Sequence, residues 1–491
     1  MSCPVGGRGL ALAGLLTSAW LLMKREISAE PEGDRPAASA IRTPESRWQS
    51  LHNALDLREL LADELVQRLQ SGYQVDEALA AEVRTAAESG DSSEAAQAAL
   101  YDRLNQTSLQ PGWEFEEPSD LAEIEAAAPG AQAAAIVPDG AELADRIYAA
   151  WLGRCAGCNL GKPVEGHGWT RARLRDYLTQ AGSYPLDDYI PVLDPMPEGY
   201  TFHPSWPDAT RGHITAMARD DDLDYTVLGL RLLERRGRSY TSDDVADLWL
   251  TSMPFAMVYT AERVAYRNLV GGQGPPATAR YRNPYREWIG AQIRADVFGY
   301  VSPGDAQGAA RLAYPDAALS HTGNGIYGEM WAAALIAAAF TSPDARQALE
   351  QALLVVPARS RLAASLRAVL DEYQAGRSWS QAMASMDQRL PGYSWVHTIN
   401  NAEVVSAALL WGDGDFSRTI GLAVEASLDT DCDGATAGSV FGALHGTKAI
   451  PGSWTDPLHD TLHSAVFGFD GVAISELARR TAALATRADA P

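Results

Sequence analysis

The stretch GATAGSVFGALHG, Gly434–Gly446, decides which fold class this chain can form. Glycine and alanine make up most of it, and such small residues let one helix approach another closely. Upstream, MWAAALIAAAF (Met330–Phe340) is apolar on nearly every side, which is typical of a helix that is buried all round. AEVVSAALLW (Ala402–Trp411) and TIGLAVEAS (Thr419–Ser427) have the same character. These stretches predict a core of tightly packed helices.

The rest of the sequence agrees with an all-α fold. From Asp145 onward one helical pattern follows another, the loops between them are marked by Gly and Pro, and alternating β-branched residues are scarce. We therefore expect one large, compact multi-helix domain over residues 141–491. Three shorter helical patterns and an extended connector occupy residues 49–140, and the first of these patterns has Gly72 as its stop signal. The prediction for this region is an N-terminal helical extension.

Residues 1–48 are predicted to be an apolar N-terminal segment and a linker. GLALAGLLTSAWLLM (Gly9–Met23) is uncharged but shorter than the roughly 20 residues that a membrane span needs. Basic residues follow it, whereas in a signal peptide they precede the apolar run. A secretory signal, a weak anchor and an upstream extension of the true start are all open. An extension on a cytoplasmic protein is the favoured interpretation.

Composition and charge argue against several classes of protein. The chain is 46% hydrophobic and 21% charged, as globular proteins are. Its formal charge is −23, with acid spread along the whole length, so it lacks the electrostatic footprint of a nucleic-acid-binding protein. Four cysteines in 491 residues do not make a disulfide framework and fit a reducing compartment. Cys155 and Cys158 form a single C-x-x-C, and with no second such pair a zinc knuckle is disfavoured.

Acidic residues are concentrated at two points, each directly before a helical pattern. Asp220, Asp221 and Asp222 form the first group, and SLDTDCDGATAG carries Asp429, Asp431 and Asp433 in the second. One aspartate before a helix caps its free N–H groups, but adjacent carboxylates repel one another. A cation between the two groups would remove the repulsion, and oxygen ligands suit Mg²⁺, Mn²⁺ or Ca²⁺. Helix capping and a metal site are both open from spacing alone.

Three motifs in the chain resemble those of the ADP-ribosylglycohydrolase family, which includes the dinitrogenase reductase-activating glycohydrolase. DRIYAAWLGRCAGCNLGKPVEG (Asp145–Gly166) resembles the opening motif D-R-x-x-G-A-L-L-G-x-x-x-G-D-A-L-G-x-P-V-E. RDDDLDYTVLGLRLLE resembles the T-D-D-T-x-M-T segment, and LDTDCDGATAGSVFGALHGTKAIP resembles the segment that begins G-G-D-T-D-T-N. The resemblance implies an orthogonal all-α fold and hydrolysis of a glycosidic bond.

The resemblance also implies two Mg²⁺ ions bound between the two aspartate motifs, with Mn²⁺ as the alternative metal. The residues expected to hold the metal are Asp220, Asp221, Asp222, Asp429, Asp431 and Cys432. Asp220 and Cys432 stand where the family usually has threonine. Glu165 matches the glutamate of P-V-E, which in several members contacts metal and water near the scissile bond. We therefore expect Glu165 to be the catalytic residue.

Three departures from the family pattern change the chemistry expected of this site. Cys158 stands where the family has an aspartate, Asp220 adds a charge, and Cys432 adds a sulfur. More negative charge should tighten divalent binding, while sulfur shifts the preference toward softer ions such as Mn²⁺ or Zn²⁺. The alternative is that both cysteines are buried and act as small hydrophobic residues.

The middle of the chain departs most from the family. The residues expected to bind substrate are Gly290, Gln292, Arg294, His321, Asn324 and Asn400. The first three lie where the family has a glycine-rich loop that contacts ribose and diphosphate, but the glycine-rich signature is absent. ALSH resembles the family's S-x-x-T-H and suggests that His321 faces the ligand, and a core-edge histidine is an equal alternative. HTGNGIYGE offers backbone donors for phosphate or ribose, whereas Asn400 is either a pocket residue or a helix cap.

Taken together, these features predict a divalent-metal-dependent hydrolase. It would cleave the glycosidic bond at ribose C1 of an ADP-ribosyl group on a protein or a small molecule. One alternative is an N-glycosidase that acts on another nucleoside or N-riboside, and a second is a non-catalytic protein that binds a ribosyl ligand. The expected partner is an ADP-ribosylated or ribosylated substrate, with no nucleic acid involved and membrane association disfavoured.

Overall fold

The computed structural model describes residues 56–88, 93–134, 136–166 and 168–486. The apolar segment Gly9–Met23 and the linker that was expected after it lie outside these residues. Within them, the all-α prediction is confirmed, because apart from one pair of two-residue strands the regular structure is helical. No helix in this part of the chain has both the length and the apolar character that crossing a membrane requires.

The α-helices of the described chain are numbered here in chain order. They are α1 (Leu57–Gln70), α2 (Glu77–Glu88), α3 (Glu94–Asn105), α4 (Leu121–Ala127), α5 (Gly140–Gly161), α6 (Arg171–Gln180), α7 (Asp221–Arg236), α8 (Ser242–Ser252), α9 (Thr260–Val270), α10 (Ala277–Arg280), α11 (Asp296–Tyr300), α12 (Ala306–Ala317), α13 (Asn324–Ala339), α14 (Ala345–Leu353), α15 (Arg361–Gln374), α16 (Trp379–Arg389), α17 (Thr398–Trp411), α18 (Phe416–Glu425), α19 (Thr430–His445), α20 (Gly452–Thr455) and α21 (Ile474–Ala485). The strands β1 (Thr461–Leu462) and β2 (Val472–Ala473) pair antiparallel.

The chain forms two compact units. The smaller unit contains the described residues before Glu114 together with Arg282–Tyr285 and Ala384–Ser394. Its helices α1, α2 and α3 are the three that the sequence predicts for this region, and their apolar faces are buried. Helix α1 ends at Gln70, and the predicted stop residue Gly72 has a φ of +76°, a conformation that glycine adopts without steric cost.

The larger unit is built around helices with no exposed face. All residues of α13 are buried, as are all residues of α17, and α19 is buried from Thr430 to Leu444. This confirms that the apolar stretches Met330–Phe340 and Ala402–Trp411 form core helices. A helix surrounded on all sides gains the burial of its whole apolar surface, at about 25 cal/mol per Å².

Helices α5 and α19 pack closely against each other along two rows of glycine. A Cβ atom added at Gly157 would lie 1.9 Å from the carbonyl oxygen of Gly434, and one at Gly153 would lie 2.1 Å from that of Gly438. Real Cβ atoms do not come this close to backbone, so glycine is the residue that these positions can hold. The small residues of Gly434–Gly446 therefore do allow a close helix approach, and the partner is α5.

This contact brings the end of α5 to the beginning of α19. The hydroxyl of Thr430 donates a hydrogen bond to the carbonyl oxygen of Gly161, with an O···O distance of 2.9 Å. On α5, Asn159 fixes the segment that leads into α7: its amide donates to Ala216 O at 3.1 Å and its carbonyl accepts from Ala218 N at 3.2 Å. The N-termini of α7 and α19 are thus both held against the last turns of α5.

Replacing Gly157 with alanine tests this contact. Helix propensity alone favours alanine over glycine by about 1 kcal/mol, so an open helical site would be stabilised. The new methyl group would meet the Gly434 backbone. We therefore expect the free energy of unfolding to fall by about 1–3 kcal/mol instead, a loss typical of overpacked cores. Denaturant unfolding followed by circular dichroism measures the difference. Exposed Gly274, with no atom within 4 Å of an added Cβ, is the control for Gly→Ala. A Gly157→Ala variant as stable as the wild type would contradict the proposed constraint.

Candidate metal centre

The two acidic segments lie at the N-termini of α7 and α19, as their spacing suggests. Asp220 is the N-cap of α7, and its Oδ1 accepts a hydrogen bond from Asp222 N at 3.0 Å. Asp429 precedes α19, but its side chain makes no capping hydrogen bond there. Helix capping therefore accounts for Asp220 but not for Asp429.

Carboxylates from both segments meet in one buried cluster. Cys158, Asp220, Asp222 and Asp431 each place one potential ligand atom within 4.8 Å of the others. A second group with the same spacing contains Asp429, Asp431 and Cys432, so Asp431 belongs to both. All of these residues are buried. The fold therefore brings together residues from α5, α7 and α19 that lie far apart in the sequence.

Two basic side chains from α5 and the turn after it compensate part of this charge. The Lys162 ammonium donates to Asp220 Oδ2, and Lys162 itself is only 3% exposed. Arg154 is fully buried and pairs with Asp222 Oδ1 at 3.1 Å and with Asp296 Oδ2 at 2.9 Å. Its guanidinium also donates to the backbone oxygen of Ile293 at 2.7 Å. Asp220 and Asp222 each have an internal counter-charge as a result.

The second group of donors has a different electrostatic environment. No ion pair to Asp429 or Asp431 is present among the described residues, and the carboxyl groups of these two aspartates hydrogen-bond each other. Burial, together with Asp431 and Glu165, raises the pKa of Asp429 well above its usual range. Two carboxyls at hydrogen-bond distance share a proton when no cation separates them. Neither aspartate has an ion-pair partner within the described residues, although the nearby Lys162 ammonium favours the charged form of Asp431.

The neighbouring Asp220 is the exception in this cluster. Burial disfavours its charged form, but the Lys162 ammonium outweighs that penalty and lowers the pKa of Asp220 to about 2. Asp222 has a raised pKa in spite of Arg154, because burial and the adjacent carboxylates act against its ionisation. Lys162 is thus the group that keeps at least one carboxylate of the cluster ionised.

Glu165 and Asp221 border the cluster without belonging to either group of donor atoms. Glu165 follows the 3₁₀ turn Lys162–Val164 that ends α5, and both Glu165 and Asp221 are half-buried while the other acids are buried. Burial raises the pKa of Glu165 well above its usual range, and Asp431 and Asp220 add to the effect. A carboxyl group at the open side of the cluster, with a raised pKa, is placed to exchange a proton with a bound water.

Of the residues expected to bind substrate, Gly290, Gln292 and Arg294 lie in the protein interior. Arg294 is 1% exposed, and its guanidinium pairs with Asp316 and with Glu262 Oε1, the latter at 2.5 Å. It also donates to the backbone oxygen of Gly290 at 3.2 Å. The side-chain oxygen of Gln292 accepts from Thr398 at 2.9 Å. These contacts occupy polar groups that the sequence analysis assigned to ribose and diphosphate.

His321, Asn324 and Asn400 are also buried. Burial lowers the pKa of His321, with Arg294 contributing, so the imidazole is neutral, and its Nδ1 lies 2.8 Å from Ser320 Oγ. The Asn324 amide donates to Glu287 Oε1 at 2.9 Å and its carbonyl accepts from Leu362 N at 3.0 Å. Asn400 Oδ1 accepts from Asn401 N at 3.1 Å. The structure does not bring these three residues into the donor groups at Asp431.

Two residues close to the cluster, Arg154 and Lys162, were missed from sequence, and both compensate its charge. Asn401 Oδ1 accepts from Asp429 N at 3.2 Å, which holds the start of α19 against α17. A signal for the first two was present, since Arg154, Cys158 and Lys162 are spaced four residues apart and so share one face of a helix. No such spacing distinguishes Asn401 from its neighbour Asn400.

The donors of the cluster fit a divalent cation. They are carboxylate oxygens, which suit Mg²⁺ and Mn²⁺, with a thiol in each group that softer ions accept. The mutual contact of Asp429 and Asp431, both buried, is a repulsive arrangement that a cation would relieve. These residues could therefore hold a metal ion.

Comparisons with known proteins identify the family of this chain. The model of the ADP-ribosylglycohydrolase family matches residues 139–490. Among solved structures, an ADP-ribosylglycohydrolase-related protein complex matches with 20% identity and a TM-score of 0.39, covering 70% of this chain and 98% of the other. No curated protein matches the chain. Because the family match extends over most of the sequence and includes both acidic segments, the chain belongs to the ADP-ribosylglycohydrolase family.

Proposed function

We propose that this protein is a divalent-metal-dependent hydrolase that cleaves the glycosidic bond at ribose C1 of an ADP-ribosyl group. Membership of the family supports a glycosidase-type hydrolase in general terms. The observation that carries the more specific proposal is the meeting of Asp220 and Asp222 with Asp431 in one buried cluster. Such an arrangement of carboxylates is costly in a fold unless a cation is bound.

In this proposal the carboxylates available to a metal ion are those of Asp220, Asp222, Asp429 and Asp431, and Mg²⁺ or Mn²⁺ is the ion. A bound divalent ion supplies positive charge that orients the ribose hydroxyls and lowers the pKa of a water. Cys158 and Cys432 add thiols at the edges of the two groups, which favours Mn²⁺ over Mg²⁺. Arg154 orients the Asp222 carboxylate through a direct ion pair.

Glu165 is the proposed catalytic residue. The oxygen of a water forms the new bond to C1, and the bond between C1 and the leaving nitrogen or oxygen breaks. Glu165 accepts the proton of that water and returns a proton to the leaving group, so the net change is the addition of one water. Its half-buried position beside Asp431 lets it reach both the cluster and solvent.

A second candidate is hydrolysis of a nucleoside or N-riboside that lacks a diphosphate. The specific observation in its favour is that Arg294, the basic residue assigned to the diphosphate, is buried in ion pairs with Glu262 and Asp316. A guanidinium whose donors are satisfied internally has little capacity left for a phosphate.

Replacement of Asp431 by asparagine tests the metal site, because this carboxylate belongs to both donor groups. We expect the variant to lose the heat of Mn²⁺ binding in isothermal titration calorimetry and to lose turnover. Metal at one hundred times its Kd should stabilise the wild type by about 2.7 kcal/mol and leave the variant's melting temperature unchanged. Asp187→Asn removes the same charge from an exposed position and should behave as the wild type. Undiminished Mn²⁺ binding by the Asp431 variant would refute the site.

Replacement of Glu165 by glutamine separates catalysis from metal binding. Since the amide cannot accept the proton of the water, we expect kcat to fall by about 10²–10⁴-fold. Mn²⁺ affinity should change little, since Glu165 lies outside both donor groups. Single-turnover kinetics and calorimetry measure the two effects, and Glu198→Gln at an exposed position is the control. Full activity in the Glu165 variant would exclude it as the base.

The two candidate substrates can be distinguished by measuring the turnover of each one separately. An ADP-ribosylated peptide and a panel of free nucleosides are each incubated with the Mn²⁺-loaded protein, and the released ribosyl product is quantified by chromatography. The main proposal expects a higher kcat/KM for the ADP-ribosylated peptide. A preference for the nucleosides would establish the second candidate, and intact ligands throughout would indicate a non-catalytic binding protein.

A further inference from the structure

Lys162 is a buried cation inside the proposed metal centre. It is the first residue after α5, and the ammonium group donates to Asp220 Oδ2. Burying an ammonium costs several kcal/mol unless a counter-charge is adjacent. The ammonium is therefore a positive charge in direct contact with Asp220, a member of the first donor group.

Two departures from the family motifs concern residues at the Lys162–Asp220 contact. Asp220 stands where the family has a neutral threonine, and Cys158 stands where it has an aspartate. Relative to that pattern, one negative charge has moved from α5 to the N-cap of α7. Lys162, four residues after Cys158 and on the same side of the helix, pairs with the carboxylate at its new place.

The two donor groups differ in how far basic side chains compensate the negative charge of their carboxylates. In the first group, Asp220 is paired with Lys162 and Asp222 with Arg154, so both carboxylates have a basic partner. In the second group, Asp429 and Asp431 place ligand atoms within 4.8 Å of each other, and within the described residues neither forms an ion pair. A divalent ion gains most where carboxylates lack a counter-charge, and a resident ammonium repels a second ion nearby.

From this we infer that the Lys162 ammonium takes the place of one of the two metal ions, so that the protein binds a single divalent ion at Asp429, Asp431 and Cys432. The inference rests on the proposed metal dependence and specifies its stoichiometry and position. In this arrangement Asp220 pairs with Lys162 and does not bind the metal. Cys432 is the thiol that contacts the metal, whereas Cys158 lies in the donor group that the ammonium occupies.

The number of bound ions tests the inference without reference to activity. Mn²⁺ per chain is counted by calorimetry and by elemental analysis after gel filtration, in the wild type and in Lys162→Met, which has similar length and no charge. We expect one ion in the wild type and two in the variant, because removing the ammonium frees the Asp220 group. Lys162→Arg retains the charge and should bind one ion.

Each other result has a defined meaning. Two ions in the wild type, or one in Lys162→Met, would overturn the inference while leaving the metal-dependent function intact. No ion in the wild type would refute both the inference and the proposed metal dependence, whatever Lys162→Met binds.

A pair of cysteine variants locates the ion and does not depend on Lys162→Met folding. Cd²⁺ bound to a thiolate gives a charge-transfer absorption in the ultraviolet, and Cys158 and Cys432 each belong to one donor group. We expect the band in the wild type and in Cys158→Ser, and its loss in Cys432→Ser. A band that disappears in Cys158→Ser and persists in Cys432→Ser would place the ion at the Asp220 group and overturn the inference.

Discussion

The contact between α5 and α19 is the constraint on which the rest of the larger unit depends. With glycine facing backbone at Gly153, Gly157, Gly434 and Gly438, the two helices approach closer than any side chain would allow. The last turn of α5 then meets the first residue of α19, where Thr430 bonds to Gly161. This approach is what places Cys158 and Lys162 of one segment beside Asp431 of the other. A wider spacing would separate the cluster into two ordinary helix ends.

A second constraint is the negative charge of the carboxylates that this packing brings together. Buried carboxylates are tolerated when each has a counter-charge or a proton, and the fold supplies two basic partners, Arg154 and Lys162. Asp429 and Asp431 form no ion pair within the described residues and lie next to each other instead. Their proximity is an energetic cost that the fold retains. Such an unrelieved cost is common at functional sites, where the ligand or ion removes it.

Between α9 and α13, buried polar residues form ion pairs with each other and leave no charge without a partner at Arg294. Arg294 is enclosed by Glu262 and Asp316 and lies over the rings of Tyr225 and Trp249 at 5.4 and 5.1 Å. A guanidinium with this many partners stabilises the packing of several helices. Its position in the sequence suggests a substrate contact, whereas its burial and its ion pairs are visible only in the tertiary structure.

The amino-acid sequence by itself determined the fold class, the core helices and the identity of the acidic segments. Those features are local: an apolar helix such as Met330–Phe340, or aspartates directly before a helix, are visible in a short window of residues. Tertiary structure alone decided that Asp431 is shared between two donor groups, that Lys162 pairs with Asp220, and that Asn401 holds the start of α19. Those relations join residues far apart in the chain, and they follow from the spacing and orientation of packed helices. No local pattern encodes that geometry.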